Sequence, residues 1–166
     1  MITIAHEYCL FFDKAEQYTQ QDILEYFQKI APLMYLKGAM LPRNLEAEPE
    51  YMERFVTEEQ WEEVFKTLRE KLGDQDRYYI HDYNYDTEEA SLSDNMADIY
   101  QDMQDFVLLY QKAPLQSKIC AVVELQKLFE NHWGISLLKA LEAVHVILFK
   151  NSINPDLLAN EDLNDL

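Results

Sequence analysis

The chain has 166 residues, the length of one domain with a core that needs neither disulfides nor structural metal. Its 31 acidic against 14 basic side chains leave a formal charge of −17, which repels a phosphate backbone and an anionic membrane alike and argues against nucleic acid or membrane as a partner. With 3 glycines, 5 prolines and long segments between them, the composition leaves little material for turn-rich β-architecture and predicts an all-α fold.

In the opening "MITIAHEYCLFFDK", Ile4, Tyr8, Phe11 and Phe12 trace one face of a short first helix. The segment has no basic region ahead of its apolar residues, and no apolar run in the chain approaches the ~20 residues that span a bilayer. Cys9 and Cys120 form no Cys-x-x-Cys pair and sit among apolar neighbours, so a cytoplasmic, reducing location is expected.

A second helix opens at Thr19, with Asp22 three residues on, and continues through Ile23, Leu24, Phe27, Ile30, Leu33 and Met34, with Pro32 expected to kink it or end its first half. Residues 42–56 carry two prolines and charge without period and read as a connector. In "TEEQWEEVFKTLREKLGD" Thr57 and Gln60 make a capping box, Trp61, Val64, Phe65, Leu68 and Leu72 a buried stripe, and Gly73 suits a left-handed helix end.

"DQDRYYIHDYNYDTEEA" holds Tyr78, Tyr79, His81, Tyr83 and Tyr85 without a clean period and is expected as an ordered loop whose rings lie over the bundle. Ser91 then opens a helix with Leu92, Met96, Ile99, Met103, Phe106 and Tyr110 facing the core, which leaves Asp94, Asp98, Asp102 and Asp105 on one flank. After "KAP" at 112–114, helical spacing runs through residues 115–150, best read as two helices meeting at "NHWG". Residues 1–150 thus make a single bundle of five to six helices, followed by an acidic tail, 151–166, expected to be frayed.

Three stretches, "VTEEQWEEVFKTLREKLGDQDRYY", "SLSDNMADIYQDM" and "NHWGISLLKALEAVH", taken in this order, resemble a family of bacterial helical proteins known as domain of unknown function 5063. The resemblance covers about Tyr51 to His145 and implies a cytoplasmic helical bundle without an assigned activity. The family's pattern falls on Trp61, on Ser91, Leu92, Asp94, Ala97, Asp98, Ile99, Tyr100 and Asp102, and on His132, Trp133, Gly134, Ala140, Leu141 and His145. This chain departs from it at Ser136, where many members carry a second histidine, and at Asn95, where a second acid is usual.

Asp94, Asp98 and Asp102, four apart, admit three readings: a solvated flank that complements the helix dipole, buried hydrogen bonding to the aromatic loop, or ligands for Mg²⁺ or Mn²⁺. Glu142 and His145 have the i, i+3 spacing of di-iron bundles, but a second copy is absent, which leaves a single-metal site built from Asp98 or Asp102 with His145 or His132. "EEQWEE" at 58–63 is similar to the paired acidic motifs of all-α nucleotide pyrophosphohydrolases, though no glycine-rich phosphate loop accompanies it and no nucleophile motif is present. The preferred expectation is a non-enzymatic interaction or accessory protein without a cofactor. Its partner would be another protein or a second copy. The surface would combine the tyrosine segment, the acidic flank and the "NHWG" junction, with Trp61, Tyr78, Tyr79, His81, Tyr83, Tyr85, Tyr100, His132 and Trp133 as contact candidates. The alternative is a divalent-metal-dependent hydrolase of a small phosphorylated compound using Asp94, Asp98 and Asp102 with one glutamate from 58–63 or with His132 or His145, Glu142 being a further metal candidate.

Overall fold

Short-range capping sets the helix starts. In the computed structural model, which describes residues 1–81 and 87–150, the Thr19 hydroxyl accepts the Asp22 N–H and the Asp22 carboxylate accepts the Thr19 N–H, opening a helix over Gln20–Ala39. Thr57 and Gln60 do the same for Glu58–Leu72, and Gly73 ends that helix at φ 52°, a conformation that costs a glycine little. The described helices are α1 (Ile2–Phe12), α2 (Gln20–Ala39), α3 (Glu58–Leu72), α4 (Leu92–Tyr110), α5 (Leu115–Asn131) and α6 (Trp133–Phe149).

The helical-bundle architecture agrees with the sequence, and α5 and α6 are indeed two helices, meeting at 50° about His132. No single described helix is long and apolar enough to cross a membrane. Pro32 does not end α2. Ala31, Met34 and Gly38 are buried on one side of it and Ile23, Leu24 and Phe27 on the other, so packing of both halves offsets the roughly 3 kcal/mol that an interior proline costs.

The tyrosine segment is where the secondary structure differs from expectation. Arg77–His81 (β1) and Thr87–Ser91 (β2) pair antiparallel, Arg77 opposite Ser91 and His81 opposite Thr87, making a hairpin where a loop was expected. Tyr and Ile favour extended backbone, but the short strands lack the alternation that would mark them. Asp76, 4% exposed, fastens the hairpin to α4: Oδ1 accepts the Ser93 N–H at 2.7 Å, Oδ2 accepts the Ser91 hydroxyl at 3.0 Å, and its carbonyl accepts the Leu92 N–H at 2.8 Å. The expected tail, 151–166, lies outside the described residues.

The core is organised around α4, which packs against α1, α3, α5 and α6, while α2 packs on α6. Leu92, Met96, Ile99 and Met103 are fully buried, and Phe106 nearly so, as their spacing predicts. Ala97, Tyr100, Val107 and Leu109 are buried too, so neighbours surround α4 on more than one side. Asp102 and Asp105 are drawn inside as a consequence.

Candidate functional site

The aspartates of α4 do not form a wet face. Asp98 Oδ1 accepts the Trp61 Nε1–H from α3 at 3.0 Å, and its Oδ2 lies 3.6 Å from His132 Nε2. One turn on, Asp102 Oδ2 stands 2.6 Å from His132 Nδ1. Asp105 Oδ1 accepts the N–H groups of Phe55 and Val56 at 2.7 and 2.9 Å. The stripe therefore pins three neighbours to α4: the connector before α3, α3 itself, and the α5–α6 elbow. The expectation of a solvated flank fails for Asp98, Asp102 and Asp105 because a central helix has no free flank. It holds for Asp94, which is exposed in the first turn, where negative charge complements the helix dipole.

His132 occupies the junction itself, with φ −137° and ψ −92° between the two helices. Hydrogen bonding to Asp102 and interaction with Asp98 raise its pKa to about 10 against the opposing effect of burial, so the imidazole is a cation at neutral pH. Burial raises the Asp102 carboxyl, and the imidazolium opposes that rise. The unit is an Asp–His–Asp ion cluster, 1% exposed at the Asp102 side chain and 40% at the histidine. A general base needs an unprotonated nitrogen near the working pH. Both ring nitrogens of His132 face carboxylates, so the geometry favours a clamp over a proton shuttle.

The remaining candidates scatter. Glu142 and His145 are exposed on α6, the His145 ring lying 4.8 Å from that of Phe149. Among the described residues, no three His, Cys, Asp or Glu side chains converge as a metal-holding group. Glu58, Glu59, Glu62 and Glu63 are exposed, with Glu62 paired to Lys66 at 2.8 Å. Tyr100 is buried and donates to Asp13 Oδ1 at 2.6 Å. Trp133 is fully buried and donates to the Leu125 carbonyl at 3.0 Å, so it offers no surface to a partner. Trp61 is half-buried, its indole stacked on Phe65 with ring centroids 5.1 Å apart.

The Tyr78 hydroxyl accepts Asn95 Nδ2 at 2.6 Å, and the same amide donates to the Ser91 carbonyl at 2.8 Å. A carboxylate at position 95 would supply no donor for that carbonyl, so the departure at Asn95 suits this hairpin. Tyr79 is 67% exposed. His81 lies in β1 with its side chain outside the described residues, as are Tyr83 and Tyr85 entirely. Sequence reasoning missed Asp76 and the Arg54–Glu124 pair, 3.2 Å apart, because their partners lie 15 to 70 residues away.

A separate surface feature involves α2 and α6, which lie side by side. Leu33 and Leu36 on α2, Met40 at its C-cap, and Ile135, Leu138, Val146 and Phe149 on α6 are all exposed, Met40 by 68%, Leu36 by 56% and Val146 by 55%. Between the helices runs a groove of about 600 Å³ lined by Gln28, Pro32, Leu138, Leu141, His145 and Val146, with Glu142 as its one carboxylate among the described residues. Lys29 is paired with Glu25 at 3.4 Å, which leaves Lys37 on α2 and Lys139 and Lys150 in residues 133–150 against Glu142, a small local excess of positive charge in an acidic protein.

The crystal structure of protein BF1032 from Bacteroides fragilis is similar to this chain, at 31% identity and a TM-score of 0.79, covering 88% of each chain. No curated protein matches the sequence. The model of the family "Domain of unknown function (DUF5063)" matches residues 1–150. The chain belongs to the DUF5063 family.

Proposed function

We propose that this chain is a non-enzymatic interaction module that docks another protein on the α2–α6 face. The observation that carries the reading is the uncovered apolar surface of those two helices. Exposed hydrophobic residues are unremarkable singly, but a contiguous set with a polar rim marks an interaction surface. On these two segments Lys37, Lys139 and Lys150 have no carboxylate partner among the described residues, so the partner presents apolar side chains flanked by acids. A second copy would bring lysines against lysines. The Asp–His–Asp cluster belongs to the scaffold on this reading, holding the α5–α6 elbow at the angle that presents α6.

The test is site-specific photo-crosslinking from Leu138 in the intact chain, with Leu36→Glu as the control. Both positions are exposed, so the fold tolerates the change. A discrete adduct whose crosslinked segment is apolar with acidic flanks, lost in Leu36→Glu, supports the proposal. Crosslinking to a second copy, or binding to phosphatidylglycerol vesicles in place of a protein, overturns it, as does the absence of any adduct.

A further inference from the structure

Among the described residues β1 is paired on one side alone, by β2, so the alternate N–H and C=O groups of its outer edge have no strand partner. That edge borders an open groove of about 710 Å³ whose opposite wall is α6. The groove is lined by four consecutive β1 residues, Arg77 to Ile80. Successive side chains point to opposite faces of a strand, so a groove bordered by four residues in a row also meets the main chain, and the unpaired edge is where that main chain is open.

The α6 wall is one face of that helix, Lys139, Glu142, Ala143, Val146 and Ile147, with Lys150 at its C-cap. Ala143, Val146 and Ile147 make it apolar between Glu142 and Lys150, a lysine stands at each end, and among the described residues neither lysine is paired with a carboxylate. At 1.5 Å per residue the two lysines stand about 16 Å apart along the helix, and six extended residues, separated by five rises of about 3.3 Å, cover about the same distance. The five-residue β1 runs along most of that span. Glu142, one turn from Lys139, and Asp74 also line the groove, and both disfavour acidic groups of an occupant away from the lysines.

We propose that this groove receives an extended peptide that adds a third strand to β1, apolar where it faces Ala143, Val146 and Ile147 and acidic at both ends. Main-chain bonds to β1 supply affinity, and the α6 wall selects the side chains, as in other cases of strand addition. The inference rests on the interaction-module reading and gives its partner a form. Val146 belongs to both grooves, so one partner can continue from the β1 edge onto the α2–α6 face.

The test is panning of a phage-displayed random dodecapeptide library against the intact chain, followed by amide hydrogen exchange with the enriched synthetic peptide. Expected are sequences with about five alternating or apolar residues between acids, slowing of exchange by about tenfold at residues 77–80, and about tenfold weaker binding when alternate peptide amides are N-methylated. Lys139→Glu with Lys150→Glu should weaken the same peptide by about tenfold. Three results would overturn the strand: a library without binders, binding indifferent to N-methylation, or protection confined to α2 and α6. If the Leu138 crosslink survives such a result, only the strand is lost and the interaction module stands; loss of both overturns both.

Discussion

His132 Nδ1 stands 2.6 Å from Asp102 Oδ2 at the point where α5 turns into α6, and the contact ties the elbow to the central helix. With its pKa at about 10, above the ordinary 6.5 of an unfolded chain, the histidine binds its proton more tightly when folded. Its contribution to stability is complete below about pH 6.5, declines above it and is lost as pH passes about 10. The imidazole is 40% exposed, so solvent screening reduces the pH-dependent part to about 1–2 kcal/mol. His132→Ala should cost about 2–3 kcal/mol near pH 6, because it leaves the Asp102 carboxylate buried alone. Urea unfolding of both proteins at about pH 6 and about pH 10.5 should show the gap narrowing by that 1–2 kcal/mol. A gap that stays constant or widens with pH would contradict a charged clamp.

Trp61 makes two separable contacts, a hydrogen bond to Asp98 through Nε1 and a stack on Phe65. Trp61→Phe removes the first and retains most of the second. Hydrogen bonds to charged groups contribute about 1.5–3 kcal/mol, and Trp61 is partly exposed, so a loss of about 1–2 kcal/mol is expected in chemical denaturation. The remaining tryptophan, Trp133, is fully buried, so the native fluorescence maximum should move to shorter wavelength in the same variant.

The helices were legible wherever the signal was local. The capping boxes at Thr19 and Thr57, the stripe from Leu92 to Phe106 and the break at "NHWG" each depend on residues within a few positions of one another. The hairpin was not legible, since its anchors Asp76–Ser93 and Tyr78–Asn95 are tertiary and its strands carry no alternating pattern. The aspartate stripe was visible as spacing, but its burial was not. Period shows which residues share a flank of α4 and says nothing of which neighbour covers it, so Trp61, Asp98, Asp102 and His132 could be singled out individually before their contacts were known.

Asp105 is a carboxylate used through one oxygen. Oδ1 holds the N–H groups of Phe55 and Val56, while Oδ2 is buried and has no hydrogen-bond partner among the described residues. Asp105→Asn keeps the accepting oxygen in place and replaces the unpaired one with an amide, so it should change stability by less than about 1 kcal/mol. Asp105→Ala strands both backbone donors and should cost about 2–3 kcal/mol. Equal losses in the two variants, measured as urea midpoints at constant m-value, would mean that charge and not acceptance holds the connector.

Gly134 separates propensity from packing by the sign of a single change. Alanine is favoured over glycine in a helix by about 1 kcal/mol, so propensity alone predicts that Gly134→Ala stabilises α6. An added Cβ, however, would lie 2.2 Å from the Phe129 carbonyl oxygen and 2.8 Å from its Cδ2. The ring has some freedom, but the carbonyl belongs to the last turns of α5 and yields only if the elbow opens. Opening it draws His132 away from Asp102, because the histidine sits between the two helices. The expected result is a net loss of about 3 kcal/mol together with a fall in the His132 pKa toward its ordinary value, read from the pH dependence of its imidazole proton shifts. Destabilisation with the His132 pKa unchanged would show that the clash is absorbed inside α5 and that the clamp does not depend on the elbow angle.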